Sequence, residues 1–166
     1  MIEITKYLQT VYEDLQRYVD NDVCLCKFKE LNFEAGALPD YEDINIQQLY
    51  LLRYAFAYAF EYSRMYLDVL SQMDGVNGIS VTSVGCGSMI DYWSLVHALE
   101  MKRKIDCSIR YVGIDKIDWS YKIPKRQNDE VHYLIGNAAD VSHITVNLFP
   151  MCIFSQSQLV SSLMVN

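Results

Sequence analysis

The apolar positions between residues 2 and 20 recur at intervals of three and four: Ile4, Tyr7, Leu8, Val11, Tyr12, Leu15, Tyr18 and Val19. That is the spacing of one helical face, and it predicts a helix over 2–20. Residues 21–31 follow no single period, and Gly36, Pro39, Asp40 and Asp43 mark 32–43 as a loop. A longer helical pattern runs from Ile46 to Met73, with Asn45 as its predicted cap. It carries tyrosines at 50, 54, 58, 62 and 66. Each residue advances ~100° around a helix, so a step of four drifts by ~40° and the tyrosines wind slowly about the axis. Such a helix is either buried with its phenol hydroxyls on polar partners, or an aromatic wall over a ligand site with Tyr50, Arg53 and Tyr54 nearest to it.

Beyond the turn cluster Asp74-Gly75-Val76-Asn77-Gly78 the pattern changes to short extended runs. Ile79–Ser83 predicts a strand, which Gly85-Cys86-Gly87 breaks. Met89–Lys104 then predicts a helix of ~24 Å, long enough to run back along a strand. Ile109–Ile114 is a second strand ending at Asp115. Residues 117–128 form a polar, aromatic and basic loop in which Pro124 blocks a long helix. Val131–Ile135 is a third strand, followed by Gly136-Asn137, and Ile144–Phe149 is a fourth, closed by Pro150. The tail, 151–166, fits a helix, a strand or disorder. The expected fold is α/β, a mainly parallel sheet of four or five strands flanked by helices. A helical cap over 1–75 and a core over 76–166 would form one compact unit.

The chemistry concentrates where the first predicted strand meets its helix. Glycines there let the backbone bend sharply and let a ligand approach, with no Cβ in the way. The helix N-terminus behind them offers unpaired N–H groups and partial positive charge, which suit an anionic or oxygen-rich ligand. Asp115, 30 residues after Gly85, ends the second strand, where a carboxylate can accept from both hydroxyls of a ribose. Asn137, past the third strand, could meet an adenine edge. All three sit at the carboxyl ends of successive strands, where open α/β sheets bind ligands.

Composition narrows the partners. The net charge of −7 argues against a dedicated nucleic-acid binder, but residues 102–126 hold eight basic and three acidic residues, which keeps that partner open. Five cysteines, odd in number and irregular in spacing, read as reduced thiols of a cytoplasmic protein; Cys24-x-Cys26 lacks the second pair a zinc site needs. No apolar run reaches the length of a membrane span. No metal is expected. An incomplete sheet would leave an edge strand that pairing between chains could cover, giving a homo-oligomer.

Three stretches together resemble a family. VTSVGCGSM is similar to motif I of the class I S-adenosylmethionine-dependent methyltransferases, VGID to their acidic second motif, and VHYLIGNAAD to their third. The likeness covers 79 to about 150, less than half of the chain. It implies a Rossmann-like sheet, S-adenosylmethionine as cofactor and methyl transfer to an acceptor that the sequence does not name. It also implies that Gly85, Cys86 and Gly87 support the methionine portion and ribose, with Ser83 among the cofactor-binding residues. Asp115 would take the ribose hydroxyls, Lys116 and Ile117 would flank the adenine, and Asn137 and Ala138 would meet its edge. Ser83 stands where the family often has an acidic residue, Met89 where it has a third glycine and Asn137 where it has Asp. The family's sheet has seven strands, so a truncated or catalytically inactive relative serving as a binding module is the alternative. A nicotinamide-binding domain needs Gly-x-Gly-x-x-Gly and meets Ile90 at the third glycine. None of His97, His132 or His143 is assigned as a general base.

Overall fold

In a computed structural model, residues 3–19, 39–73, 77–137 and 152–155 are described. Three helices and four strands follow in the order α1 (Ile4–Val19), α2 (Ile44–Ser71), β1 (Gly78–Val84), α3 (Ile90–Met101), β2 (Ser108–Asp115), β3 (Glu130–Ile135) and β4 (Cys152–Ser155). The four strands form one parallel sheet in the order β3-β2-β1-β4. The mixed α/β architecture with helices against a parallel sheet agrees with the expectation. The predicted strand at 144–149 lies outside the described residues, and the fourth strand that is described comes from the tail.

Several boundaries move for local reasons. The cap of α2 is Asp43, not Asn45: its carboxylate accepts from the Asn45 N–H at 2.8 Å. Both residues are good cap formers, and the spacing alone does not choose between them. Helix α3 is 12 residues long, with Met101 as its last. Arg103 turns to φ 57°, and the Lys104 N–H closes back on the Leu99 carbonyl at 2.8 Å. Lys104 then donates its ammonium to the Met73 carbonyl, tying this helix end to the end of α2.

One core joins the helical and sheet portions. Helix α1 buries Ile4, Leu8, Val11 and Leu15, the stripe its periodicity outlined. Helix α2 contributes Leu51, Ala55, Ala59, Tyr66 and Leu70, and packs across α3. The alanines let the two helices approach, and Ser94 of α3 donates to the Ala59 carbonyl. Tyr111 of β2 is fully buried, with its ring 5.4 Å from that of Tyr92 on α3. The opposite face of the sheet carries Arg110, Glu130 and His132 in a half-exposed ionic group.

Parallel strands β2 and β3 need a long crossover, and residues 116–129 supply it without a helix. Two anchors hold it. Buried Asp129 accepts from Arg126, from the Tyr92 hydroxyl at 2.7 Å and from the Ile109 N–H at 3.0 Å. Buried Gln47 accepts from the Ser120 N–H, and Gln48 donates to the Tyr121 hydroxyl at 2.6 Å. The second anchor fixes the start of the crossover against α2, near the carboxyl end of β2, and the first ties its end to Ile109 at the amino end of β2. Lys104, Arg110, Lys122 and Arg126, half of the basic residues in 102–126, hold internal partners.

Candidate functional site

The turn after β1 departs sharply from extended backbone. Gly85 lies at φ 68° and Gly87 at φ 52°, values an L side chain rarely adopts. Met89 also sits in the left-handed region, at φ 67° and ψ 36°, where its Cβ costs roughly 1–2 kcal/mol. Its side chain is buried at 3% exposure, and that burial offsets the strain. A Cβ on Gly85 would meet nothing, so open space lies above it; one on Gly87 would touch the Trp119 ring at 3.5 Å.

Asp115 closes this turn from the neighbouring strand. Its Oδ2 accepts from the Gly87 N–H at 2.7 Å and its Oδ1 from the Ile117 N–H at 3.0 Å. A carboxylate has about four acceptor positions, and among the described residues these two bonds leave two of them open. The Gly136 N–H bonds to the Asp115 carbonyl, which sets exposed Asn137 on the same rim. Ile117 is half-buried and Lys116 is exposed. Ser83, Gly85, Cys86, Gly87, Asp115, Ile117 and Asn137 therefore share the carboxyl-end rim. Ala138, Cys24, Cys26 and His143 lie outside the described residues.

Above the turn is a narrow cleft of ≈ 50 Å³, lined by Tyr50, Tyr58, Tyr62, Ser83, Asp91 and the backbone of 85–88. The aromatic wall thus uses other tyrosines than the expected set. Tyr50 belongs to it, but Tyr54 lies beside Tyr50 and Tyr58, and Arg53 is exposed with its guanidinium 5.2 Å from the Tyr54 ring. The direction in which the four-residue run winds relative to α3 selects Tyr58 and Tyr62, and periodicity alone does not carry that direction. Tyr66, one step further, is fully buried with an unpartnered hydroxyl.

Asp91, in the first turn of α3, lines the same cleft. Its carboxylate is buried at 3% exposure and accepts from the Tyr111 hydroxyl at 2.8 Å. Burial pushes its pKa up; hydrogen bonds from Ser83, Tyr111 and the N–H groups of Tyr92 and of Asp91 itself oppose the shift. The positive end of α3 is therefore already met by an internal carboxyl group, and Met89 provides no side-chain cap. Of the expected anionic or oxygen-rich ligand, the anionic alternative would meet that carboxyl group. Burial raises the pKa of Cys86 as well, with Asp91 and Asp115 adding to the shift, so its thiol is a packing group rather than a nucleophile.

His97 stacks on Trp93 at 5.0 Å and lines a separate apolar groove with Phe56 and Phe60, and His132 pairs with Glu130 on the open sheet face. Neither reaches the cleft. Among the described residues no group of three metal-ligating side chains occurs, and no helix is long and apolar enough to cross a membrane. Comparison with family models, curated proteins and solved structures gives no match.

Open space above Gly85, two free acceptor positions on Asp115 and the Asn137 rim lie side by side. The cleft itself holds only a small head group, since ≈ 50 Å³ is several-fold below the ~300 Å³ at which whole-ligand pockets begin.

Proposed function

We propose that this rim binds S-adenosylmethionine on a Rossmann-like scaffold and that the protein is a methyltransferase. One observation carries the reading. The left-handed glycine turn follows β1 and is bonded to the carboxylate that ends β2. β1 has β2 on one side and β4 on the other, so the strand order reverses at β1. Crevices at such reversal points, outside the carboxyl ends of the strands, are where open α/β sheets hold nucleotides. Asp115 would accept from the ribose hydroxyls, with Ile117 and Lys116 beside the adenine and Asn137 and Ala138 at its edge. Ser83 and the 85–87 turn would seat the methionine end. The bound sulfonium would supply a transferable methyl group, and the chain's own contribution would be position and orientation.

A second reading, a methyltransferase-like binding module without turnover, is supported by the small cleft and by the distance of His97 and His132 from it. Calorimetric titration of the full chain with S-adenosylmethionine, S-adenosylhomocysteine and NAD separates the alternatives. Binding of the two adenosyl compounds without NAD supports the methyltransferase site. Binding of none overturns it in favour of the module, and binding of NAD alone overturns it in favour of a nicotinamide site.

A further inference from the structure

We infer that the cleft between α2 and the glycine turn selects a cationic head group, a sulfonium or an alkylammonium, and rejects its neutral counterpart. The inference rests on the adenosyl reading for the rest of the ligand and adds a preference for charge. Three observations converge on it. The wall facing the turn is aromatic: Tyr50, Tyr58 and Tyr62 line it, with Tyr58 ring centroids 6.0 Å from Tyr50 and 6.2 Å from Tyr62. Tyrosines attract a cation through the ring quadrupole and through the phenol oxygen. The floor is Asp91, buried and held by Tyr111. No Lys, Arg or His lines the cleft among the described residues.

These features act in one direction. The N–H groups at the start of α3 face Asp91, so an anion entering the cleft would meet a carboxylate and phenol oxygens rather than a bare helix terminus. A cation would meet the charge it needs in a site screened little by water, where such contacts are strongest. The volume suits the group: ≈ 50 Å³ holds about three or four water-sized units, the size of a methylated sulfonium and not of a nucleoside.

The test uses the full chain and three probes: S-adenosylmethionine, S-adenosylhomocysteine, which differs by the methyl and its charge, and trimethylsulfonium alone. Calorimetry should give at least tenfold tighter binding of S-adenosylmethionine than of S-adenosylhomocysteine. Asp91→Asn, close to isosteric, should remove that ratio. Tyr58→Leu should reduce the ratio too. Equal affinity for the two adenosyl compounds in the unaltered protein overturns the inference and leaves the adenosyl reading standing. Binding of trimethylsulfonium with no binding of either adenosyl compound does the reverse. A ratio that survives Asp91→Asn also overturns it, and because the primary ratio is read on the unaltered protein, a variant that fails to fold does not rescue it.

Discussion

Removing the Asp115 carboxylate should weaken the protein as well as any ligand site, and the two effects can be read apart. Its oxygens accept from the N–H groups of Gly87 and Ile117 at 2.7 and 3.0 Å. Hydrogen bonds to an ionised acceptor are worth about 1.5–3 kcal/mol each. Asp115 is half-buried, so water can replace part of what is lost. The lower bound per bond is then the better guide, and Asp115→Ala should cost about 2–3 kcal/mol. In a chain of 166 residues that corresponds to a fall in Tm of about 4–12 °C. Asp115→Asn keeps one acceptor oxygen but turns an amide N–H₂ toward the other donor, so it should recover no more than about half of the loss. Urea denaturation with an unchanged m-value is the measure of stability, and amide exchange at Gly87 and Ile117 localises it. A shift below ~0.5 kcal/mol for Asp115→Ala would show that the turn stands without this carboxylate, and the account of how β2 holds the glycine turn would be wrong.

Gly113→Ala should destabilise more than Gly85→Ala: its Cβ would meet Cys86 Sγ at 2.7 Å and Tyr111 Cε1 at 2.9 Å, whereas Gly85 faces open space and loses only its φ of 68°. Expected costs are about 2–3 against about 1 kcal/mol, measured by urea midpoint, and equal costs would contradict the packing described. Met89→Gly relieves about 1 kcal/mol of left-handed strain but removes a side chain at 3% exposure, worth more, so the net effect should be a loss of about 1–3 kcal/mol in thermal melts. Asp91 should make stability fall as pH rises above the ordinary carboxylate value of 3.8. The folded protein holds that proton to higher pH than the unfolded chain does, and the loss ends once pH passes the raised pKa. Its neighbours Tyr62, Tyr66, Tyr111 and Cys86 are neutral through that window, so Asp91→Asn should flatten the profile; parallel profiles for the two proteins would refute this. Ser63→Ala, which removes a buried hydroxyl with no partner, should be neutral or slightly stabilising in the same melts.

What the sequence determined by itself is local. The three-and-four spacing in 4–19 and 44–71, the extended runs at 78–84, 108–115 and 130–135, and the glycines that end the first of these follow from side-chain period and backbone sterics. Asp115 was legible as a rim residue because it is the last position of a strand, and the carboxyl ends of parallel strands share one rim. Tertiary structure decided the rest. The choice of Tyr58 and Tyr62 over Arg53 and Tyr54 depends on how α2 rotates against α3, and a helix wheel has no external reference direction. The role of Asp91 depends on Tyr111, 20 residues away on another element, which converts a helix-start acid into the buried floor of a cleft. The pairing of β4 with β1 depends on a long-range register, and only there does the strand order reverse. Local propensities act over a few residues; orientation, burial and charge compensation belong to contacts between segments far apart in the chain.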